Sequence, residues 1–143
     1  MDAQLELASS FSKEKNILSL MLLLTGIFAI IGGLYTWGEG FIFNAPTGTD
    51  LRIFIADILI AGPFSILASL GLWKCKLWGL LFSWFVSGVY LYGSVAVYVM
   101  IFQNGSPYPF ELILPPLAGT CLSFVLIFWT KSHIKQFISQ NNT

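Results

Sequence analysis

Residues 51–72 read LRIFIADILIAGPFSILASLGL, a run apolar enough to cross a bilayer and interrupted by one acid, Asp57. A hydrocarbon core about 30 Å thick takes about 20 apolar residues in helical form. An ionisable group in such a helix is costly, and it faces the bundle or a wet cavity rather than lipid. Asp57 lies about two turns into the run. Pro63 follows one and a half turns later, where it removes a backbone bond to the carbonyl of Leu59 and predicts a bend.

The rest of the chain has the same character. Of its 143 residues 56% are hydrophobic and 10% charged, against about 25% charged in soluble domains. Mean hydropathy is +0.78. Apolar runs at about 17–37, 51–73, 77–102 and 110–130 predict an all-α fold: a four-helix transmembrane bundle, up-down-up-down, forming one integral-membrane domain over 1–143. Net charge is zero, so no overall field points to nucleic acid.

The placement of charge sets the expected orientation. Lys13 and Lys15 precede the first run, Lys74 and Lys76 occupy the turn 73–78, and Lys131 and Lys135 follow the last. With four spans all six fall on one side and Arg52 on the other, which puts both termini in the cytoplasm of a plasma or inner membrane, multi-pass. Trp73, Trp78 and Trp129 would mark the cytoplasmic interface, and Tyr35 and Trp37 the outer one. The first run has the basic flank of a signal peptide, but its length and the lack of a small-residue cleavage site favour a retained span. Within it Gly26, Ala29, Gly32 and Gly33 offer a face for close helix approach. Residues 1–16 have apolar positions too scattered for a strong amphipathic helix, and 131–143 read as a short polar tail.

The entry to the second span, 44–50, ends in Asp50, a plausible N-cap. Pro115 and Pro116 either kink span four or mark its start, with 111–114 extended. Asn104-Gly105-Ser106 and Asn141-Asn142-Thr143 are sequon-like, but the first lies in a loop too short to leave the bilayer and the second on the predicted inner side.

Helical spacing places Asp57, Ala61, Ser65 and Ala68 on one face, with Ile55, Leu59, Ile66 and Leu70 opposite. Span three has a matching line: Gly79, Ser83, Ser87, Tyr90, Ser94, Tyr98. Small and hydroxyl side chains are what membrane helices set against each other. A hairpin folded about Cys75 brings Asp57 level with Gly93 and Ser94, and Arg52 level with Tyr98. The candidate ligand-binding set is therefore Asp57, Tyr90, Ser94, Tyr98, Arg52 and Glu111, an outward-facing polar pocket. The alternative is a buried hydrogen bond at Asp57 that fixes how spans two and three pack. Arg52, five residues from Asp57, is badly placed to pair with it and more naturally meets Glu39 or Glu111.

Other chemistry has little support. His133 is the only histidine, so no histidine-based metal cluster or catalytic dyad is expected. No glycine-rich phosphate loop and no nucleophile elbow occurs. No cofactor and no metal is expected. Cys75 and Cys121 form no redox pair; Cys75, between two lysines at the membrane edge, sits where cysteines are palmitoylated, although an unmodified thiol in a tight turn is the simpler reading.

An acid-led second span with Gly62-Pro63, a short basic turn, then Trp78-Gly79, Tyr90-Leu91-Tyr92 and Tyr98, resembles small four-span prokaryotic membrane proteins of unknown function, mainly over 50–105. The resemblance implies fold and class. Small multidrug-resistance transporters carry an acid in the first span, and four-helix disulfide-generating enzymes need paired cysteines; this chain has neither. Three functions remain: a non-enzymatic membrane protein binding lipid or a partner (a partner membrane subunit, or a second copy in a homo-dimer); a small-molecule carrier or binder at Asp57; and a membrane enzyme on a lipidic substrate, with Asp57 or Glu111 as acid or base.

Overall fold

The structure, a computed structural model, describes residues 2–38, 55–104 and 110–141, with side chains over 9–35, 55–99, 101–103 and 113–141. Among these only Lys74, Cys75 and Lys76 lie outside helix. Four α-helices follow one another: α1 (Asp2–Gly38), α2 (Gly62–Trp73), α3 (Leu77–Asn104) and α4 (Phe110–Asn141). Three of them, α1, α3 and α4, are long and apolar enough to span a membrane, and Asp57–Trp73 is a shorter apolar helix. Helices close every backbone bond internally, the condition for crossing lipid. The expected N-cap at Asp50, and Arg52 with its expected partner Glu39, lie outside the described residues.

α2 is entered through a single π-turn, Asp57–Ala61, in which the Gly62 N–H bonds the Asp57 carbonyl. A proline ring crowds the carbonyl four residues before it, here that of Leu59, and a wider turn is one way to relieve the crowding. Pro63 then sits in the first turn of α2. At the other end Lys76 N–H bonds Gly71 O and Cys75 N–H bonds Leu72 O, both at 2.9 Å. This is a Schellman closure. Cys75 has φ 52°, a left-handed conformation that costs a residue with a Cβ about 1–2 kcal/mol.

Neighbouring helices pack antiparallel. Between α1 and α2, Lys15 Nζ reaches Trp73 O (3.0 Å), Ser69 Oγ donates to Ser19 O (2.6 Å), and Gly26 lies against Gly62 and Ser65. Gly71 meets Gly79 backbone to backbone, and Phe64 meets Phe85 with ring centres 4.9 Å apart. Those are the pairings that a fold about Cys75 requires. Between α3 and α4, Ser94 Oγ donates to Pro116 O (2.8 Å) and Trp84 Nε1 to Thr130 Oγ1 (2.6 Å).

The packing places small groups inside and bulk outside. Leu18, Leu22, Ala68, Leu72, Leu80, Val86, Leu122, Leu126 and Phe137 form the apolar core. Ser65, Ser69, Ser83, Ser87, Ser123 and Thr130 are buried with it. Leu24, Phe28, Leu81, Phe102 and Phe128 are exposed. A water-soluble protein rarely shows such continuous apolar surface, and a bilayer accommodates it. The chain thus has the helices and the exterior of a membrane protein.

Two stretches differ from the sequence-based expectation. α1 begins at Asp2 rather than near residue 17, and α4 continues to Asn141 through the expected tail. The reason is their contact with each other. Phe11, 8% exposed, stacks on Trp129 (5.7 Å) and meets Phe137 edge-on (5.7 Å), and Phe137 is fully buried. Scattered apolar residues at both ends become one cluster once the ends are adjacent. Residues 111–114 are likewise helical, with Pro115 and Pro116 inside α4, so the extended alternative is not adopted.

Candidate functional site

The hydroxyl-bearing faces of α2 and α3 share one interior. Ala61 of the π-turn and Ser65 and Ala68 of α2 are fully buried. On α3, Gly79, Ser83, Ser87 and Ser94 are buried, with Tyr90 and Tyr98 half-buried. Of the opposite face of the second run, Leu59 and Leu70 are exposed, while Ile55 and Ile66 are half-buried.

Tyr90 Oη and Ser65 Oγ are 2.7 Å apart. Ser65 Oγ already donates to Ala61 O at 2.5 Å. A serine has one proton, so the Tyr90 hydroxyl is the donor between helices. Ser94 spends its proton on Pro116 O, which also accepts from Thr120 Oγ1 (2.8 Å). Gly119 lies at this crossing, where a Cβ would make ordinary contact with Ser94 Oγ at 3.5 Å.

Asp57 is half-buried in the π-turn, one turn from Ala61. The protons of Tyr90 and Ser94 are nevertheless directed at Ser65 and Pro116. Of the six candidate residues the structure ties Tyr90 to α2 through Ser65 and turns Ser94 toward α4. Tyr98 lies two turns beyond Tyr90 on the same helix. Arg52 and the Glu111 side chain lie outside the described residues, as does any pairing between them. Among the described residues no three side chains of His, Cys, Asp or Glu gather as metal ligands.

A second constellation lies at the lysine-bearing end. Trp129 Nε1 donates to Glu14 Oε2 (2.7 Å), and Glu14 Oε1 accepts from Ser10 Oγ (2.8 Å). His133 Nε2 is 3.9 Å from Glu14, an ion pair only when the ring is protonated. On the other face of α1, Lys15 Nζ also approaches Cys75 Sγ at 3.1 Å, and Asn141 Nδ2 donates to Cys75 O at 2.8 Å. The ends of α1 and α4 are thus tied to the α2–α3 turn.

Beside this tie, α1 and α2 leave a cavity of about 200 Å³ lined by Asn16, Leu20, Leu23, Ser69 and Trp73. Its polar rim is Asn16 and its floor is the buried Ser69. Sequence reasoning centred on Asp57 passed over it. The signal was present in the spacing: Lys13, Asn16, Leu20 and Leu23 fall on one stripe of α1, polar to apolar.

No protein-family model, no curated protein and no solved structure matches the chain. The resemblance to small four-span membrane proteins therefore stands on the residues quoted for it.

Proposed function

We propose that the chain is a non-enzymatic integral membrane protein that binds lipid or a partner membrane subunit, a second copy included, within the bilayer. On this reading the second run crosses as the others do, the four helices run up-down-up-down as a single domain, and both termini and the Lys74–Lys76 turn lie in the cytoplasm.

One observation carries it: polar side chains inside the bundle bond to their own helix or across to a neighbouring one, while the apolar bulk is turned outward. Tyr90 donates to Ser65, Ser94 to Pro116 O, Ser69 to Ser19 O, and Trp84 to Thr130. Such bonds fix helix packing. What is left for recognition is the outer surface and its grooves.

The test is native mass spectrometry of the full chain released from its membrane, compared with Asp57→Asn and Tyr90→Phe. Bound lipid or a stoichiometric second chain, with both variants altered in stability or assembly, supports the reading. A bare monomer, together with solute or proton flux in vesicles that Asp57→Asn abolishes while the fold survives, overturns it.

A second reading, a small-molecule binder at Asp57, draws on the π-turn. Such turns are rare and recur at functional sites, and this one carries the acid at its first position. Tyr98, Arg52 and Glu111 would complete that pocket.

A further inference from the structure

The cavity between α1 and α2 is open on its lipid-facing side and graded along its length. Asn16 is exposed at one end, Leu20 is 56% exposed and Leu23 half-buried along the wall, and Trp73, 59% exposed, forms the opposite flank. From Asn16 to Leu23 is about 10 Å of helix at 1.5 Å per residue. The volume, about 200 Å³, takes a stretch of one acyl chain and is far too small for a folded partner.

Among the described residues, cations gather at the Asn16 end and not at the other. Lys13 is exposed one turn before Asn16 on the same stripe of α1. Lys15 Nζ is 3.0 Å from the carbonyl of Trp73, so an ammonium is fixed against the residue that flanks the cavity. Lys74 and Lys76 are exposed next to Trp73. The nearest described acid, Glu14, is turned to the other side of α1, where Trp129 and Ser10 hold it. The groove therefore runs from a positive, hydrogen-bonding mouth to an apolar slot, with an indole at the boundary. Indoles settle at the headgroup level of a bilayer.

We propose that this groove binds one anionic phospholipid of the leaflet beside the lysines, its phosphate at Lys13, Asn16 and Lys74 and one acyl chain against Leu20 and Leu23. The inference rests on the reading that the chain lies in the bilayer and binds lipid there, and it names which lipid and where. Zwitterionic phosphatidylcholine fills the slot equally well, but its choline cation offsets what the lysines add at the phosphate. Each lysine near an anionic surface adds about fivefold to affinity.

The test uses the full chain in vesicles of equal parts phosphatidylglycerol and phosphatidylcholine, released into mild detergent and weighed by native mass spectrometry. One phosphatidylglycerol retained in clear excess over phosphatidylcholine is expected. Lys13→Gln with Lys74→Gln should lower that preference about 25-fold while a lipid is still held. Leu23→Trp, which fills the slot from a half-exposed wall, should remove retention of both lipids. Helical circular dichroism and a single elution peak confirm that each variant is folded. Equal retention of the two lipids, or a preference untouched by the paired lysine change, overturns the headgroup assignment. Retention unaffected by Leu23→Trp overturns the slot. A chain that fails to enter vesicles at all overturns the wider membrane reading instead, so the two failures are separable.

Discussion

Alanine at two glycines of α3 is expected to move stability in opposite directions. Gly88 faces open space, with nothing within 4 Å of a Cβ built there. Gly88→Ala therefore keeps only the helix-propensity gain, up to about 1 kcal/mol. Gly79 is the reverse case. A Cβ there would overlap the Gly71 carbonyl carbon and the Leu72 nitrogen, and would sit 2.7 Å from the Gly71 Cα. All three are backbone atoms, so no rotamer change relieves the clash. Overpacking costs about 1–3 kcal/mol when side chains can adjust, and a backbone-to-backbone contact belongs at the upper end. Gly79 is also near the start of α3, where alanine gains little over glycine. The net loss for Gly79→Ala is about 3 kcal/mol, which places the two variants up to about 4 kcal/mol apart, or about three decades in the unfolding equilibrium. Reversible unfolding in mixed micelles of mild detergent and dodecyl sulfate, followed by helical circular dichroism, measures both. If Gly79→Ala proves as stable as Gly88→Ala, the close α2–α3 crossing is wrong.

Three further outcomes can be read in the same assay. Ser19 Oγ is buried and, among the described residues, has no hydrogen-bond partner, so Ser19→Ala should be neutral or stabilising by about 1 kcal/mol; a loss of stability would contradict it. Tyr90→Phe should cost about 0.6 kcal/mol and not above about 1.7. Adding Ser65→Ala should then cost less than Ser65→Ala does alone, and full additivity would show that the two hydroxyls are not coupled. Phe137→Ala removes a fully buried ring from the Phe11–Trp129 cluster and should cost about 3–5 kcal/mol. The change should also shift Trp129 fluorescence, and an unchanged spectrum would place the end of α4 elsewhere.

The fold was legible in the sequence wherever one physical rule acted alone. Long apolar runs mark α1, α3 and α4 because lipid leaves few alternatives, and small residues at helical spacing show which faces turn inward. The short basic turn, folded about Cys75, sets the α2–α3 register, and Gly71 meets Gly79 as that fold requires. Rules in competition were harder to read. Phe11 and Phe137 look like isolated apolar residues in polar surroundings, and only the meeting of the two chain ends makes them a cluster. Pro63 announced a disturbed turn but not a π-turn, since bend, break and widened turn all answer the same steric conflict. At the candidate site, helical spacing set Tyr90 and Ser94 on the inward line of α3, yet the direction of each hydroxyl depended on acceptors that spacing does not reveal: Ser65, already committed to Ala61 O, and the Pro116 carbonyl of α4. The α1–α2 groove was missed because its lining comes from two helices, neither of which is unusual by itself.

The proposed architecture has four crossings that bring the lysine turn and both ends to one side. Single-cysteine variants in a Cys75→Ser, Cys121→Ala background, treated in sealed vesicles of known orientation with a membrane-impermeant maleimide, test this directly. Lys76→Cys and Asn142→Cys should react from one side only, and Gly48→Cys and Gly105→Cys from the other. Reaction of Lys76→Cys from the same side as Gly48→Cys would show that the second run does not cross, and the proposed architecture would fall with it.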